Sequence, residues 1–349
     1  MPPLFPPLRP KHGAALRDVD SRDARARAAA AEALGQPPAG HEDEAKEALR
    51  PLADDPVAGV RAAAIASLGH LADADALDLV LARFEDGDPT VRQVALIAAA
   101  EIGDARAGPA LRRALSSPHP EVRFQAVASV ALLAPDGAVE DLAALADDPD
   151  PLVRAHLADA LGALEDPRAA DALAPMLEDE ATEVRRAAGI ALGRIGDRRA
   201  VAALVETLDD KERCFEAAWA LGELGAREAV EPLARVAAAF LKPLAVKAAA
   251  GAALVRLGDP RGVPALRGVL TALRSDARSY AVQLVGELEL EALASEVAKL
   301  AARPRGADPV VVARALRRLA PTSAAAAEAL ARMEAREDEA GEVARGAVS

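Results

Sequence analysis

The sequence predicts an all-α fold, a solenoid of about nine helix pairs that repeat with a 31-residue period. Three observations favour this fold. A Val-Arg pair recurs at a fixed interval, which is typical of a repeat architecture. Apolar residues recur at helical spacing between Gly-Asp turns. The composition is 52% hydrophobic but only 2% aromatic, so a helical core must be built from Ala, Leu and Val.

The clearest copy of the repeat is Glu180–Asp210. Its first part, Thr182–Arg194, carries one apolar stripe at helical spacing, and Arg198–Leu208 carries a second. Gly196 and Asp197 lie between them, where glycine favours the end of one helix and aspartate the start of the next. Two short helices cannot bury both stripes alone, so each pair must pack on its neighbours.

The repeats keep one register through most of the chain. The Val-Arg pair recurs every 31 residues at Val60-Arg61, Val91-Arg92, Val122-Arg123, Val153-Arg154 and Val184-Arg185. One loop then shortens by two residues, so that Cys214 occupies the arginine position, and the pattern resumes at Val246-Lys247. Asp-Pro dipeptides predict sharp helix starts, because Asp favours the N-cap and Pro the first helical position. These dipeptides are Asp88-Pro89, Asp150-Pro151 and Asp308-Pro309.

Residues 18–336 are predicted to form a single solenoid. Residues 1–17 begin with a proline-rich segment, which predicts a disordered or extended tail, and residues 337–349 are typical of a frayed tail. Within the solenoid we expect the first helix at Asp18–Leu34 and a closing helix at Thr322–Arg336.

Composition and charge exclude several classes of protein. The single cysteine, Cys214, excludes an internal disulfide and fits a reducing compartment, so we expect a cytoplasmic protein. No apolar run approaches the ~18 residues of a membrane span, and the first residues carry no apolar signal segment. The net charge of −13 opposes general attraction to phosphate backbones. We therefore expect no membrane partner, and nucleic acid is a disfavoured one.

The repeat pattern DPxVRxxAAxALGxLGDxRAVxxLxxLL, clearest in Glu180–Asp210, resembles the HEAT-like repeats of the phycobilisome-lyase type, the PBS lyase HEAT-like repeat. The resemblance covers the chain from about Asp18 to Arg336. It implies a right-handed α-solenoid, a superhelix of the armadillo-like helical class. Proteins with such repeats include bilin lyases, di-iron hydroxylases, DNA-repair glycosylases and plain scaffolds, so the resemblance implies a fold and leaves the activity open.

The repeated arginine has two interpretations. A row of arginines suits the binding of an anion. In such arrays, however, the resemblance implies that the arginine bonds the turn between helices, at its aspartate or its carbonyl groups, and so forms a ladder along the stack. We predict the structural role, because the replacement of arginine by Cys214 in one repeat fits a local structural change better than the loss of a ligand.

By the same resemblance, the helix after each Asp-Pro turn lines the concave face of the solenoid. Positions one, two, five and nine after the arginine are then expected to face the groove. The only Trp and the only Tyr fall in this set, and exposed aromatic rings among charges are typical of a recognition surface. The alternative is that Phe215 and Trp219 fill a gap left by the shortened loop near Cys214. The predicted partner-binding residues are Phe124, Gln125, His156, Asp159, Arg186, Arg194, Phe215, Glu216, Trp219, Glu223, Arg256, Tyr280, Gln283 and Glu287.

The sequence predicts no catalytic group, no cofactor and no metal site. Di-iron hydroxylases of this repeat class need recurring His-Glu pairs, and only His41-Glu42 is adjacent here. His156 and Asp159 lie three residues apart on one helix face, but no Ser or Cys nucleophile is predicted beside them. Cys214 at an arginine position suggests a thiol of lowered pKa, although a lone helical cysteine is more often an inert packing residue.

We therefore expect a non-enzymatic scaffold that binds a protein or peptide in its concave groove. The enzymatic alternative is a bilin lyase or isomerase subunit that acts on a protein partner. A third possibility is a nucleic-acid-binding relative of the HEAT-like glycosylases, with Trp219 and Tyr280 cradling a base. The groove disfavours that third function, because its predicted residues mix acidic and basic side chains.

Overall fold

The computed structural model describes residues 10–303 and 306–347 and confirms the all-α class. These residues form 22 α-helices and short 3-10 turns, with no β-strand among them. The chain divides into two compact units, Met1–Ala191 and Leu192–Ser349, and the division falls within one helix, Thr182–Ile195. No helix in the described ranges is long and apolar enough to span a membrane.

The first unit is built from helix pairs, with short 3-10 turns such as Arg50–Asp54 beside several of the second helices. The helices are α1 (His12–Asp18), α2 (Ala24–Leu34), α3 (Glu42–Leu49), α4 (Ala58–His70), α5 (Leu77–Leu81), α6 (Pro89–Ile102), α7 (Gly108–Ala114), α8 (Pro120–Leu133), α9 (Ala138–Ala143), α10 (Pro151–Ala163), α11 (Ala170–Leu173) and α12 (Thr182–Ile195), which holds the division. α4 packs on α2, α6 on α4, α8 on α6 and α10 on α8, so the first helices of successive repeats lie side by side.

The second unit repeats this arrangement. Its helices are α13 (Val201–Thr207), α14 (Cys214–Glu223), α15 (Val230–Ala238), α16 (Leu244–Arg256), α17 (Gly262–Leu270), α18 (Ser275–Glu287), α19 (Ala294–Ala301), α20 (Pro309–Leu319), α21 (Ala324–Glu334) and α22 (Glu339–Arg345). α16 packs on α14, α18 on α16, α20 on α18 and α22 on α20. The buried core between these helices consists of Ala, Leu and Val side chains with Met333.

The Asp-Pro turns start helices as predicted. The side chain of Asp88 accepts hydrogen bonds from the backbone N–H groups of Thr90 and Val91, and that of Asp150 accepts one from Leu152. These bonds satisfy N–H groups that have no partner within the helix. α6 and α10 therefore begin at the proline that follows each aspartate.

The arginine ladder is confirmed within the first unit. Nε and Nη2 of Arg61 donate to the carboxylate of Asp86 at 2.9 and 2.6 Å, and Nη1 donates to the carbonyl of Asp55 at 2.8 Å. The same pattern joins Arg27 to Asp55, Arg123 to Asp148 and Arg154 to Asp179. Hydrogen bonds from these arginines hold the pKa values of Asp55, Asp86 and Asp179 below the ordinary value. Each of these four arginines thus ties the turn of its own repeat to the turn of the next, whereas Nη2 of Arg92 donates to Oε1 of Glu121 at 3.2 Å.

The repeat without the arginine is completed by a lysine from the following loop. Arg123 donates to the carbonyl six residues before it, and the equivalent carbonyl for Cys214 belongs to Leu208. Nζ of Lys242 donates to that carbonyl at 2.7 Å. Cys214 itself is 1% exposed, and burial raises the pKa of its thiol. Cys214 is therefore a packing residue, and the suggestion of a lowered thiol pKa is wrong.

Buried glycines allow the first helices of successive repeats to approach closely. A Cβ atom added to Gly222 in α14 would lie 2.8 Å from the Cα of Ala253 in α16. The same contact recurs between Gly69 of α4 and Ala98 of α6, at 2.7 Å. The glycine of the repeated Leu-Gly motif thus provides a helix–helix contact in which no larger residue fits.

Parts of both predicted tails are helical. α1 lies within the predicted N-terminal tail, yet it packs on α2 and buries Ala15 fully. α22 lies within the predicted C-terminal tail, yet it packs on α20 and α21 and buries Val343 fully. Disorder is the wrong prediction for these segments, because each covers an apolar stripe that a terminal repeat leaves without a neighbour. Residues 1–9, 348 and 349 of the predicted tails lie outside the described residues.

Candidate functional site

Predicted binding residues of the second unit come together on three successive first helices. Phe215 and Trp219 lie on α14, Arg256 on α16 and Tyr280 on α18. We name these four side chains the aromatic cluster. Each of them is partly exposed to solvent. The repeat brings them together, because the first helices α14, α16 and α18 lie side by side.

The rings of the aromatic cluster are held in place on one side and accessible on the other. The ring centres of Phe215 and Tyr280 lie 5.7 Å apart with a 49° tilt. The guanidinium carbon of Arg256 lies 4.5 Å from the centre of the Trp219 ring, a cation–π contact. Trp219 and Tyr280 also pack against the hydrophobic core of the unit. Part of the Trp219 side chain therefore packs against the core, as the alternative interpretation expected, and the rest of it lies at the surface.

Charged groups border the aromatic cluster. Nη2 of Arg256 lies 3.0 Å from Oε1 of Glu223. On α18, Nε2 of Gln283 donates to Oε1 of Glu287 at 2.8 Å. Burial, and to a smaller degree the charge of Glu287, raises the pKa of Tyr280 to about 12. The Tyr280 hydroxyl is therefore protonated at neutral pH and able to donate a hydrogen bond.

Two polar atoms beside the rings are buried without a hydrogen-bond partner, Oε2 of Glu216 and Nη1 of Arg256. Such atoms are uncommon, because an unpaired buried polar group costs roughly 1–3 kcal/mol. Nε2 of His156 is a third, and all three side chains were predicted from the sequence to bind a partner. They have hydrogen-bonding capacity that the described part of the chain does not use.

A cavity of about 220 Å³ lies next to Glu287, between α18 and α20. It is lined by Gln283, Gly286, Glu287, Val311, Arg314, Ala315 and Arg318. Arg314 and Arg318 are not among the residues predicted from the sequence, because the Val-Arg pattern fades after α18. Both arginines are exposed on α20, the helix that packs on α18.

The first unit holds a second aromatic pair. Phe124 of α8 stacks on His156 of α10, with ring centres 4.0 Å apart and planes 13° from parallel. Phe124 remains 38% exposed. Burial lowers the pKa of His156, although the charge of Asp159 acts in the opposite direction, so the imidazole is neutral at pH 7. The structure therefore places His156 against an aromatic ring.

The other predicted residues are also accessible to solvent. Gln125 is half-buried beside Phe124 in the chain, Arg194 is exposed at the start of the second unit, and Nη1 of Arg186 lies 4.0 Å from Oε2 of Glu183. Every predicted binding residue is at least partly exposed. That they bind a partner stays a prediction.

Three exposed apolar residues in loops of the second unit were also not predicted from the sequence. Phe240 and Leu241 lie between α15 and α16, and Leu273 lies between α17 and α18. Their exposed fractions are 94%, 92% and 97%. The positions counted from the repeated arginine lie on helices, so that count cannot reach a loop residue.

The sequence profile of HEAT repeats matches residues 13–87, 79–150 and 139–214, which together cover more than half of the chain. The profile of the PBS lyase HEAT-like repeat matches residues 214–238 and 246–271. The second set contains Phe215, Trp219 and Arg256 of the aromatic cluster. No curated protein sequence matches the chain.

Several solved structures resemble the protein. The Escherichia coli protein YibA is 19% identical with a TM-score of 0.54, over 71% of this chain and 93% of that one. Importin beta is 15% identical with a TM-score of 0.62, over 95% of this chain and 56% of that one. The complex of CpcE and CpcF of phycocyanin lyase from Nostoc sp. PCC7120 is 22% identical with a TM-score of 0.43, over 74% of this chain and 93% of that one. At such identities, YibA and importin beta establish the fold alone.

Proposed function

We propose that this chain, which belongs to the HEAT-repeat family, is a non-enzymatic scaffold that binds a protein or peptide segment. The binding surface is the exposed side of the first helices, with the aromatic cluster as its anchor. The observation that carries this proposal is the placement of the only Trp and the only Tyr of the chain, each partly exposed, on α14 and α18, two first helices that both pack on α16.

The anchor rings are suited to binding because they are already ordered. Trp219 is fixed between the core and the guanidinium of Arg256, and Tyr280 between the core and Phe215. When a partner covers these rings, this chain loses little side-chain entropy. Half-buried Trp and Tyr side chains are also the residues that most often dominate binding energy at protein interfaces.

The charges around the aromatic cluster define the chemistry of the partner. Glu216, Glu223 and Glu287 lie on the helices that carry the rings, and Arg256 is engaged with Glu223. A complementary segment therefore carries an apolar or aromatic side chain with Lys or Arg beside it. We expect its affinity to fall as salt concentration rises, since exposed charges are screened within about 10 Å at 0.1 M salt.

The non-enzymatic part of the proposal rests on the two side chains that would first be considered as catalysts. The thiol of Cys214 is buried with a raised pKa, which disfavours the thiolate. His156 is stacked on Phe124. Neither arrangement suits a nucleophile activated by a neighbouring base.

A second candidate function is a lyase or isomerase subunit that acts on a chromophore bound to a partner protein. One observation favours it: the two segments that match the PBS lyase HEAT-like repeat contain Phe215, Trp219 and Arg256. The same rings that anchor a peptide would then stack on a tetrapyrrole. This candidate requires binding of free bilin, which a peptide scaffold does not.

Affinity capture with matched variants tests the proposal. The bait proteins are the wild type, Phe215→Ala/Trp219→Ala/Tyr280→Ala, and the control Phe240→Ala/Leu241→Ala/Leu273→Ala, which removes three exposed apolar side chains of the same unit. We expect partners of the wild type to persist with the control and to be lost with the cluster variant. The cluster variant should bind a purified partner more weakly than the wild type, by more than about 1 kcal/mol of binding free energy.

Two results would contradict the scaffold function. Equal recovery of every partner by all three baits removes the aromatic cluster from the binding surface. A saturable shift of bilin absorbance with the wild type, lost in the cluster variant, favours the lyase candidate. Far-UV circular dichroism must show the same helix content for all three baits, so that lost binding is not lost folding.

A further inference from the structure

Three side chains with metal-binding atoms converge near the beginning of the first unit. They are His12 at the start of α1, His41 just before α3, and Glu44 in the first turn of α3. Oε2 of Glu44 lies 3.2 Å from Nε2 of His12 and 3.1 Å from Nδ1 of His41. Donor atoms of the three residues all lie within 4.8 Å of one another.

These distances approach those of a tetrahedral metal site. Around Zn²⁺, with bonds of about 2.0–2.1 Å, neighbouring ligand atoms lie about 3.3 Å apart. Both distances from Glu44 already match this edge. The side chains of His41 and Glu44 are 51% and 54% exposed, so small rotations can close the third edge, whereas the His12 side chain is only 12% exposed and fixed.

We propose that His12, His41 and Glu44 bind one divalent transition-metal ion of the Zn²⁺ type, with the remaining ligand position open to water. Two imidazoles and one carboxylate suit Zn²⁺ and disfavour Mg²⁺ and Ca²⁺, which prefer shells made mainly of oxygen. The bound ion joins α1 to the start of α3, and its ligands His12 and Glu44 are 32 residues apart in the chain.

The local sequence explains why these groups meet. Residues three apart at the start of a helix lie on one face, which brings His41 and Glu44 together. α1 packs on α2 and thereby carries His12 to the same place. No metal site was expected from the sequence, because His41-Glu42 is the only adjacent His-Glu pair and no cluster of ligands with suitable spacing appears elsewhere in the chain.

The site lacks one feature of the tightest metal centres. Nδ1 of His12 is buried and has no hydrogen-bond partner. Metal-binding imidazoles usually donate their second N–H to an acceptor, and losing that acceptor weakens metal affinity by about 10–100-fold. The site is therefore expected to bind Zn²⁺ reversibly and more weakly than a structural zinc centre.

Zn²⁺ titration of the full-length, tag-free protein by calorimetry tests this site, together with the visible absorption of bound Co²⁺. We expect one equivalent of Zn²⁺ to bind, and His41→Ala and Glu44→Gln each to weaken binding at least tenfold. The matched control is His70→Ala, which removes another exposed histidine near a carboxylate, with Nε2 3.8 Å from Oε2 of Glu101. This control should bind like the wild type.

Two outcomes would overturn the site. One is the absence of saturable Zn²⁺ binding by the wild type, and the other is unchanged affinity in both His41→Ala and Glu44→Gln. Because His41 and Glu44 are exposed, these substitutions leave the core intact, and circular dichroism should confirm equal helix content. The ligand set should favour Zn²⁺ over Mg²⁺ by at least about 1,000-fold, so a 1,000-fold excess of Mg²⁺ should not displace the bound Zn²⁺. Displacement would contradict the ligand set.

Discussion

Replacement of Arg123 by Ala tests whether the arginine ladder stabilises the fold. Nε and Nη2 of Arg123 donate to the carboxylate of Asp148 at 2.6 and 2.8 Å, and Nη1 donates to the carbonyl of Ser117 at 2.9 Å. The two charged side chains are 12% and 4% exposed. Such a bidentate pair, largely shielded from water, differs from the weak ion pairs of a protein surface.

The expected loss follows from what the substitution leaves behind. Removing one partner of a buried ion pair costs about 3–5 kcal/mol, because the other charge stays buried and unpaired. Asp148 keeps one hydrogen bond, from the backbone N–H of Asp150 at 2.9 Å. The edge of the Arg123 side chain also reaches solvent. We therefore expect a loss near the lower end of that range, about 3 kcal/mol of the free energy of unfolding.

Urea unfolding followed by far-UV circular dichroism measures this loss. The matched control is Arg106→Ala. The Arg106 side chain pairs with Asp104 but is 62% exposed, so this substitution should lower the free energy of unfolding by no more than about 1 kcal/mol. The double variant Arg123→Ala/Asp148→Ala should recover part of the loss. Equal stability of Arg123→Ala and Arg106→Ala would refute the structural role of the ladder.

Three further outcomes are expected. The stabilisation from the ladder carboxylates should be fully present above about pH 5 and be lost as pH falls below about 4, because the arginines lower the folded-state pKa of Asp55, Asp86 and Asp179 relative to the unfolded chain. Urea titrations at several pH values measure this, and a free energy of unfolding that does not change between about pH 5 and about pH 3 contradicts it. Gly222→Ala should lower the free energy of unfolding by about 1–3 kcal/mol, because the added methyl group overpacks the contact with Ala253. Gly268→Ala, at a helical position with no atom within 4 Å of the added Cβ, should raise it by up to about 1 kcal/mol. Equal effects of the two substitutions in thermal melts would exclude the Gly222–Ala253 contact. Alkylation of Cys214 by iodoacetamide at pH 8 should be much slower in the native than in the urea-unfolded protein, and equal rates would contradict its burial.

The sequence predicted the repeated elements well, because their causes are local and recur. In most copies a Val in the core, an Arg beside it and an Asp at the turn have the same neighbours, so Arg61 and Arg123 could be assigned from the period alone. The Asp-Pro starts at Asp88 and Asp150 depend only on helix capping, which acts over three or four residues.

The remaining features depend on contacts between segments that the period does not relate. Lys242 occupies a loop position with no counterpart in the pattern, and only its distance to the Leu208 carbonyl shows what it does. His12 looked like part of a tail, because the packing of α1 on α2 is a tertiary effect. In the candidate site, the repeat predicted that Phe215, Trp219 and Tyr280 share one face, whereas the cation–π contact of Arg256 required the structure.

The most direct test of the proposed function uses Trp219, since it is the only tryptophan of the chain. A tryptophan-free peptide from a captured partner is added to the wild-type protein, and acrylamide quenching of the Trp219 fluorescence is measured before and after saturation. If the aromatic cluster anchors the partner, the exposed part of the ring is covered and the quenching constant falls by about twofold or more. An unchanged quenching constant, with calorimetry showing that the peptide is bound, would place the partner elsewhere and contradict the proposal.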